Sequence, residues 1–144
     1  MKPGQAIHIQ LTDAEARPLP IDNVLVQIEF FKNGNYRYGF EAGRTDDRGQ
    51  LIVSYDDVEN QRRKRSVENL MDYNTRLEDC DPVAKITILS DRELRSREQK
   101  VLKNYGREPD WAQAWPSNAR VEADQKTIEL SGQAINVELL TRRV

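Results

Sequence analysis

The chain has 144 residues, of which 38% are hydrophobic and 32% charged, with a formal net charge of −2 and a pI near 5.5. That length suits one domain with a real core, and the balance is too apolar for a disordered chain and too polar for a membrane protein. A protein built to grip phosphate backbones shows a basic excess, so nucleic acid is not expected as a partner.

The opening Met1 to His8 carries no apolar stretch after Lys2, so no signal peptide is expected. The first strand is read at 6–12, where Ile7, Ile9 and Leu11 alternate with His8 and Gln10. A turn-rich link with Pro18 and Pro20 leads to the strongest strand, 23–31, with Val24, Val26, Ile28 and Phe30 on one face. Asn33-Gly34 marks a hairpin into a third strand at 36–42, with Tyr36, Tyr38, Phe40 and Ala42 on one face. Parity constrains this hairpin. A simple two-residue loop would set Phe30 opposite Arg37. A three-residue loop, or a bulge of one residue, pairs Phe30 with Tyr38 and Ile28 with Phe40, and is preferred.

Thr45 to Gly49 forms the next turn, and Leu51, Val53 and Tyr55 alternate as a fourth strand. Charged residues and few strand formers then predict a helical insertion at about 58–79, with Ser66 as its cap and Val67, Leu70, Met71 and Leu77 on one stripe. Strand character returns at 83–89. Ser90 and Glu93 fit a capping box for a second helical insertion at about 91–115, through Leu94, Val101, Leu102 and Tyr105 to Gly106. Trp111 and Trp115 lie one helical turn apart. Two last strands are placed near 127–130 and 134–140. The expected fold is mainly β: one antiparallel two-sheet sandwich domain over 1–144, with about seven strands and two helical insertions. Its expected core includes Val26, Ile28, Phe30, Tyr38, Phe40, Ile86, Ile88 and Val137.

Residues 6–55 carry a recognisable order: a strand, Asp13, Pro18-Leu19, the Val24-x-Val26-x-Ile28 strand, then Thr45-Asp46-Asp47-Arg48-Gly49-Gln50-Leu51 entering another strand. In the last motif Asp caps a tight turn, Gly supplies a positive φ, and Leu re-enters the core. This segment resembles the transthyretin-like or carboxypeptidase-regulatory-like β-sandwich superfamily. An Ig-like sandwich is the alternative expectation. The resemblance implies a non-catalytic module that serves as an interaction surface, stalk or accessory domain. Two enzymatic branches fit poorly. Hydroxyisourate hydrolases use histidines and a C-terminal Tyr-Arg-Gly-Ser, whereas this chain has one His and ends Thr141-Arg142-Arg143-Val144. Intradiol dioxygenases hold iron with two Tyr and two His, a set that His8 alone does not complete.

Few residues invite chemistry. His8 lies on the minority face of its strand, without a Ser or Cys motif beside it, and reads as structural. Cys80, the single cysteine, sits in Glu-Asp-Cys-Asp, where flanking negative charge blunts a nucleophile. No disulfide can form within the chain, so a cytoplasmic location is expected, with an extracellular one left open. Asp46/Asp47 and Asp56/Asp57 could offer oxygens to calcium, but turn and cap roles explain them, and no metal or other cofactor is expected.

The candidate contact residues are the basic run Arg62, Arg63, Lys64 and Arg65 and the aromatic group Tyr105, Trp111 and Trp115. The bland readings are a solvated helix entry and an aromatic pin against a sheet. The sequence thus points to a non-catalytic protein-interaction or structural module, with a protein partner or self-association and no membrane insertion. The alternative is a small-ligand or carbohydrate-binding protein that uses the Trp/Tyr cluster. A third option is an enzyme whose sites are shared between subunits.

Overall fold

The computed structural model describes residues 1–67, 74–88, 121–123 and 125–143. Among these residues the chain forms β1 (Ala6–Thr12), β2 (Leu25–Lys32), β3 (Asn35–Arg44), β4 (Gln50–Ser54), α1 (Tyr55–Val67), a 3-10 turn (Leu77–Asp79), β5 (Val83–Ile88), β6 (Val121–Ala123), β7 (Lys126–Glu129) and β8 (Ala134–Arg143). The strands assemble into two four-stranded sheets, ordered β4-β1-β8-β6 and β3-β2-β5-β7. The architecture is mainly β, as expected. One departure concerns direction. β1 pairs parallel with β8, Ile7 opposite Ile135 and Ile9 opposite Val137, while the other ladders are antiparallel. The three-residue strand β6 is also an addition to the expected set. Its short run carries no alternation long enough to mark a strand.

Period-2 alternation explains which face each strand buries. Ile7, Ile9 and Leu11 of β1, Val53 of β4 and Val137 and Leu139 of β8 are all 2% exposed or less. They share one cluster with Val24, Val26, Ile28, Phe30, Tyr38, Phe40, Ile86 and Ile88 from the second sheet and its approach. All eight side chains expected in the core are there. Burying one such side chain fully stabilises by roughly 1.5–3 kcal/mol, so a slip by one residue along β2 would forfeit several of them together. The rings of Phe30, Tyr38 and Phe40 form a mutual group, with centroids 5.3–6.4 Å apart and tilted planes.

The β2–β3 hairpin meets the parity condition by a bulge. Asn33 and Gly34, at φ 54° and 78°, make a two-residue turn, and Lys32 pairs with Asn35 and Phe31 with Tyr36. The register then shifts so that Phe30 meets Tyr38 and Ile28 meets Phe40. The extra residue is Arg37. This shift corrects one assignment: Tyr36 does not share the inner face with Tyr38 but lies outside, 57% exposed. A second shift between Val26 and Gln27 leaves Ala42 as the extra residue near the far end.

The first helix starts earlier than expected. Ser54 ends β4, and its Oγ accepts the Asp57 amide at 3.2 Å, an N-cap at the strand's last residue. Tyr55, read as a strand residue, opens the helix instead. Asp56 and Asp57 fill the first turn, and Lys64 and Arg65 the last, each sign favourable to the helix dipole. Ser66 is therefore near the helix end and is not its cap, and Val67 is 87% exposed rather than buried on a stripe. Leu77 is fully buried, but from the 3-10 turn. Leu70 and Met71 lie outside the described residues, as do Ser90, Glu93 and the whole expected 91–115 insertion.

Candidate functional site

Helix α1 contacts both β3 and β4, one from each sheet. Its inward face carries Val58, Glu59 and Arg62, the i, i+1, i+4 spacing of a single stripe. Arg62 Nη2 donates to Glu59 Oε1 at 2.6 Å and its Nε to Oε2 at 2.9 Å, with the two side chains only 11% and 10% exposed. Arg63 Nε adds a longer bond to Glu59 Oε1 at 3.2 Å. These bonds, the Arg62 one first, hold the Glu59 carboxyl below the usual carboxylate range, and Glu59 raises Arg62 in return. A buried pair is strongly anchored once formed, because removing one partner strands the other charge.

A second polar group, in electrostatic reach of this pair, centres on Tyr38. The Tyr38 hydroxyl donates to the Thr75 carbonyl at 2.9 Å and lies 3.3 Å from Cys80 Sγ. Burial, and then the bond with Cys80, pushes the Tyr38 phenol up. Cys80 is 8% exposed and packs as part of the core cluster. The Tyr55 hydroxyl, at the head of α1, bonds the Glu78 carboxylate. The Tyr38 contacts tie β3, and the Tyr55–Glu78 bond ties the head of α1, to the segment that leads into β5.

The basic run therefore does not act as a unit. Arg62 is buried in its ion pair, not presented at a solvated helix entry, because helical periodicity turns it beneath Glu59. Arg63, Lys64 and Arg65 are exposed along the last turns. Tyr105, Trp111 and Trp115 lie outside the described residues.

The outer face of the first sheet holds a trough of about 350 Å³ lined by His8, Gln10, Gln50, Ile52, Asn136 and Glu138, with backbone from the strands between them. Register explains the grouping: Ile52, His8 and Asn136 form one rung across β4, β1 and β8, and Gln50, Gln10 and Glu138 the next. Gln50 Nε2 donates to Gln10 Oε1 at 2.8 Å, and Gln10 Nε2 reaches the carbonyls of Leu11 and Arg48 at 3.0 Å, so these amides are fixed in place. Ile52 is 60% exposed at the trough's edge. Alternation alone puts His8 and Gln10 on the minority face. Their meeting with Asn136 and Glu138 depends on the parallel β1–β8 pairing, which no local pattern signals.

Asp46 holds its turn, and Asp56 and Asp57 lie in the first turn of α1, which Ser54 caps. Asp46 Oδ1 accepts the amides of Arg48 and Gln50, each at 2.9 Å. Among the described residues no group of three or more His, Cys, Asp or Glu is gathered as a metal site, and no helix is long and apolar enough to cross a membrane. No family model, curated protein or solved structure matches the chain.

Proposed function

We propose that the chain is a non-catalytic protein-interaction module on a transthyretin-like β-sandwich, with α1 as its contact element. The observation that carries this reading is the division of α1. Val58, Glu59 and Arg62 are buried on its inner face, while Lys64 and Arg65 stand exposed on its last turn together with Arg63, which is exposed but also bonds Glu59. A rigid scaffold that presents an anchored, one-signed patch favours a partner segment rich in carboxylates. The transthyretin-like form is preferred to the Ig-like one because β1 lies between β4 and β8. In the Ig constant arrangement the first strand shares its sheet with the second.

The test is charge reversal of Lys64 and Arg65 to Glu, which leaves the Arg63–Glu59 bond in place, followed by affinity capture from cell extract and by thermal melting. Partners retained by the wild-type chain and lost from the variant, at an unchanged melting temperature, support the reading. Equal capture by both proteins removes α1 as the contact. A second reading, a small polar ligand in the outer trough, is favoured by the fixed Gln10–Gln50 pair beside His8, Asn136 and Glu138. Pockets of this volume fall at the small end of ligand sites. His8→Ala with Asn136→Ala would abolish ligand binding under this reading and leave partner capture unchanged under the first.

A further inference from the structure

Asn33-Gly34 is the single Asn-Gly pair in the sequence. Such a pair is chemically labile. A base removes the glycine amide proton, and the nitrogen attacks the asparagine Cγ. Ammonia leaves and a five-membered succinimide closes; water then opens it to aspartate or isoaspartate. Glycine favours the attack because no Cβ shields its nitrogen. Asn33 and Gly34 are both exposed here, so water and base reach them freely.

What surrounds the pair opposes the reaction. Asp81, which lies 48 positions from Asn33, bonds both turn amides: Asn33 N–H to Oδ1 at 2.9 Å and Gly34 N–H to Oδ2 at 2.8 Å. The Asp81 backbone is itself fixed, its amide donating to the Phe31 carbonyl at 2.8 Å. The proton that must leave is thus held by a carboxylate, and the anionic nitrogen that would form faces a negative charge. Both effects act against the first step.

We propose that Asn33 is a spontaneous deamidation site kept silent by Asp81. When the clamp opens, the Gly34 nitrogen is released to attack. The product is self-reinforcing. A carboxylate at position 33 repels Asp81, and isoaspartate inserts an extra backbone carbon where Lys32 pairs with Asn35 and Phe31 with Tyr36. The hairpin that sets Phe30 against Tyr38 then loses its register.

The experiment is ageing of the purified chain at mildly alkaline pH, with peptide mapping by mass spectrometry to assign deamidation to residue 33. Three proteins are compared: wild type, Asp81→Ala, and a variant of the other sheet such as Ile7→Val, chosen to match the melting temperature of Asp81→Ala. Folded Asp81→Ala should deamidate at residue 33 on the order of tenfold faster than wild type, the change expected for losing a charge-assisted hydrogen bond. The matched variant should stay near the wild-type rate. Equal rates in wild type and Asp81→Ala overturn the proposal. So do equal rates in Asp81→Ala and the matched variant, since general loosening would then explain the effect.

Discussion

Two turns of this protein are each held by an aspartate that accepts two backbone amides, yet they are built on opposite plans. In the 45–50 turn the aspartate is local: Asp46 binds the amides of Arg48 and Gln50. In the 33–34 turn it is distant: Asp81 arrives from the segment before β5. The glycines differ too. A Cβ at Gly49 would lie 1.9 Å from the Leu19 carbonyl oxygen, whereas one at Gly34 meets nothing within 4 Å. The local turn is thus crowded by the fold around it and keeps its own hydrogen bonds. The remote turn is open in space and depends on the fold for its bonds.

The largest effect should come from Gly49→Ala. It combines a φ of +73° with a backbone collision, and a loss of roughly 3 kcal/mol or more is expected in chemical denaturation. A loss as small as that of the open turn's glycine would show that the Leu19 segment moves aside easily. Next is Asp81→Ala, which unpairs both turn amides and should cost ~2 kcal/mol. Hydrogen exchange at Gly34 should accelerate at the same time; unchanged protection there would mean that the turn holds itself. Gly34→Ala, at φ +78° with open space around it, should cost only ~1 kcal/mol. A collapse of the fold in that variant would erase the distinction between the two glycines. The smallest effect belongs to Asp46→Asn, under ~0.5 kcal/mol, because the side-chain amide oxygen still accepts and the turn is exposed. A loss as large as that of Asp81→Ala would show that the Asp46 charge matters more than its geometry.

The same contrast marks what the sequence makes legible. The turn after Thr45 announces itself because the amides that Asp46 accepts, from Arg48 and Gln50, lie within four residues of it. The core faces of β2 and β8 are equally plain, since alternation is a local signal and the buried side Val24, Val26, Ile28, Phe30 obeys it. The bulge at Arg37 was open to parity reasoning, and that reasoning also shows why Tyr36 must leave the inner face. Helix α1 was half legible. Its charges were visible, but Ser54 as a cap was hidden by its place at the end of a strand, and the exposed Val67 imitated a core residue. The inward turn of Arg62 depends on that shifted start. The trough around His8 was not legible at all, because it requires strands more than a hundred residues apart to be neighbours, with His8 beside Asn136.

That last neighbourhood has a consequence for how the chain comes into being. Among the described strands β1 comes first in the sequence and β8 last, yet Ala6 pairs with Ala134 and Thr12 with Leu140. On a ribosome that adds about 5–20 residues per second, β1 waits several seconds with only β4 at its flank. The second sheet is under no such delay over β2 and β3, which are joined by a two-residue turn. Synthesis therefore favours an order in which the β2–β3 hairpin forms early and β8 closes the first sheet as a final insertion. Until then β1 shows nascent chains an unpaired edge, a window for mispairing that the finished molecule no longer has.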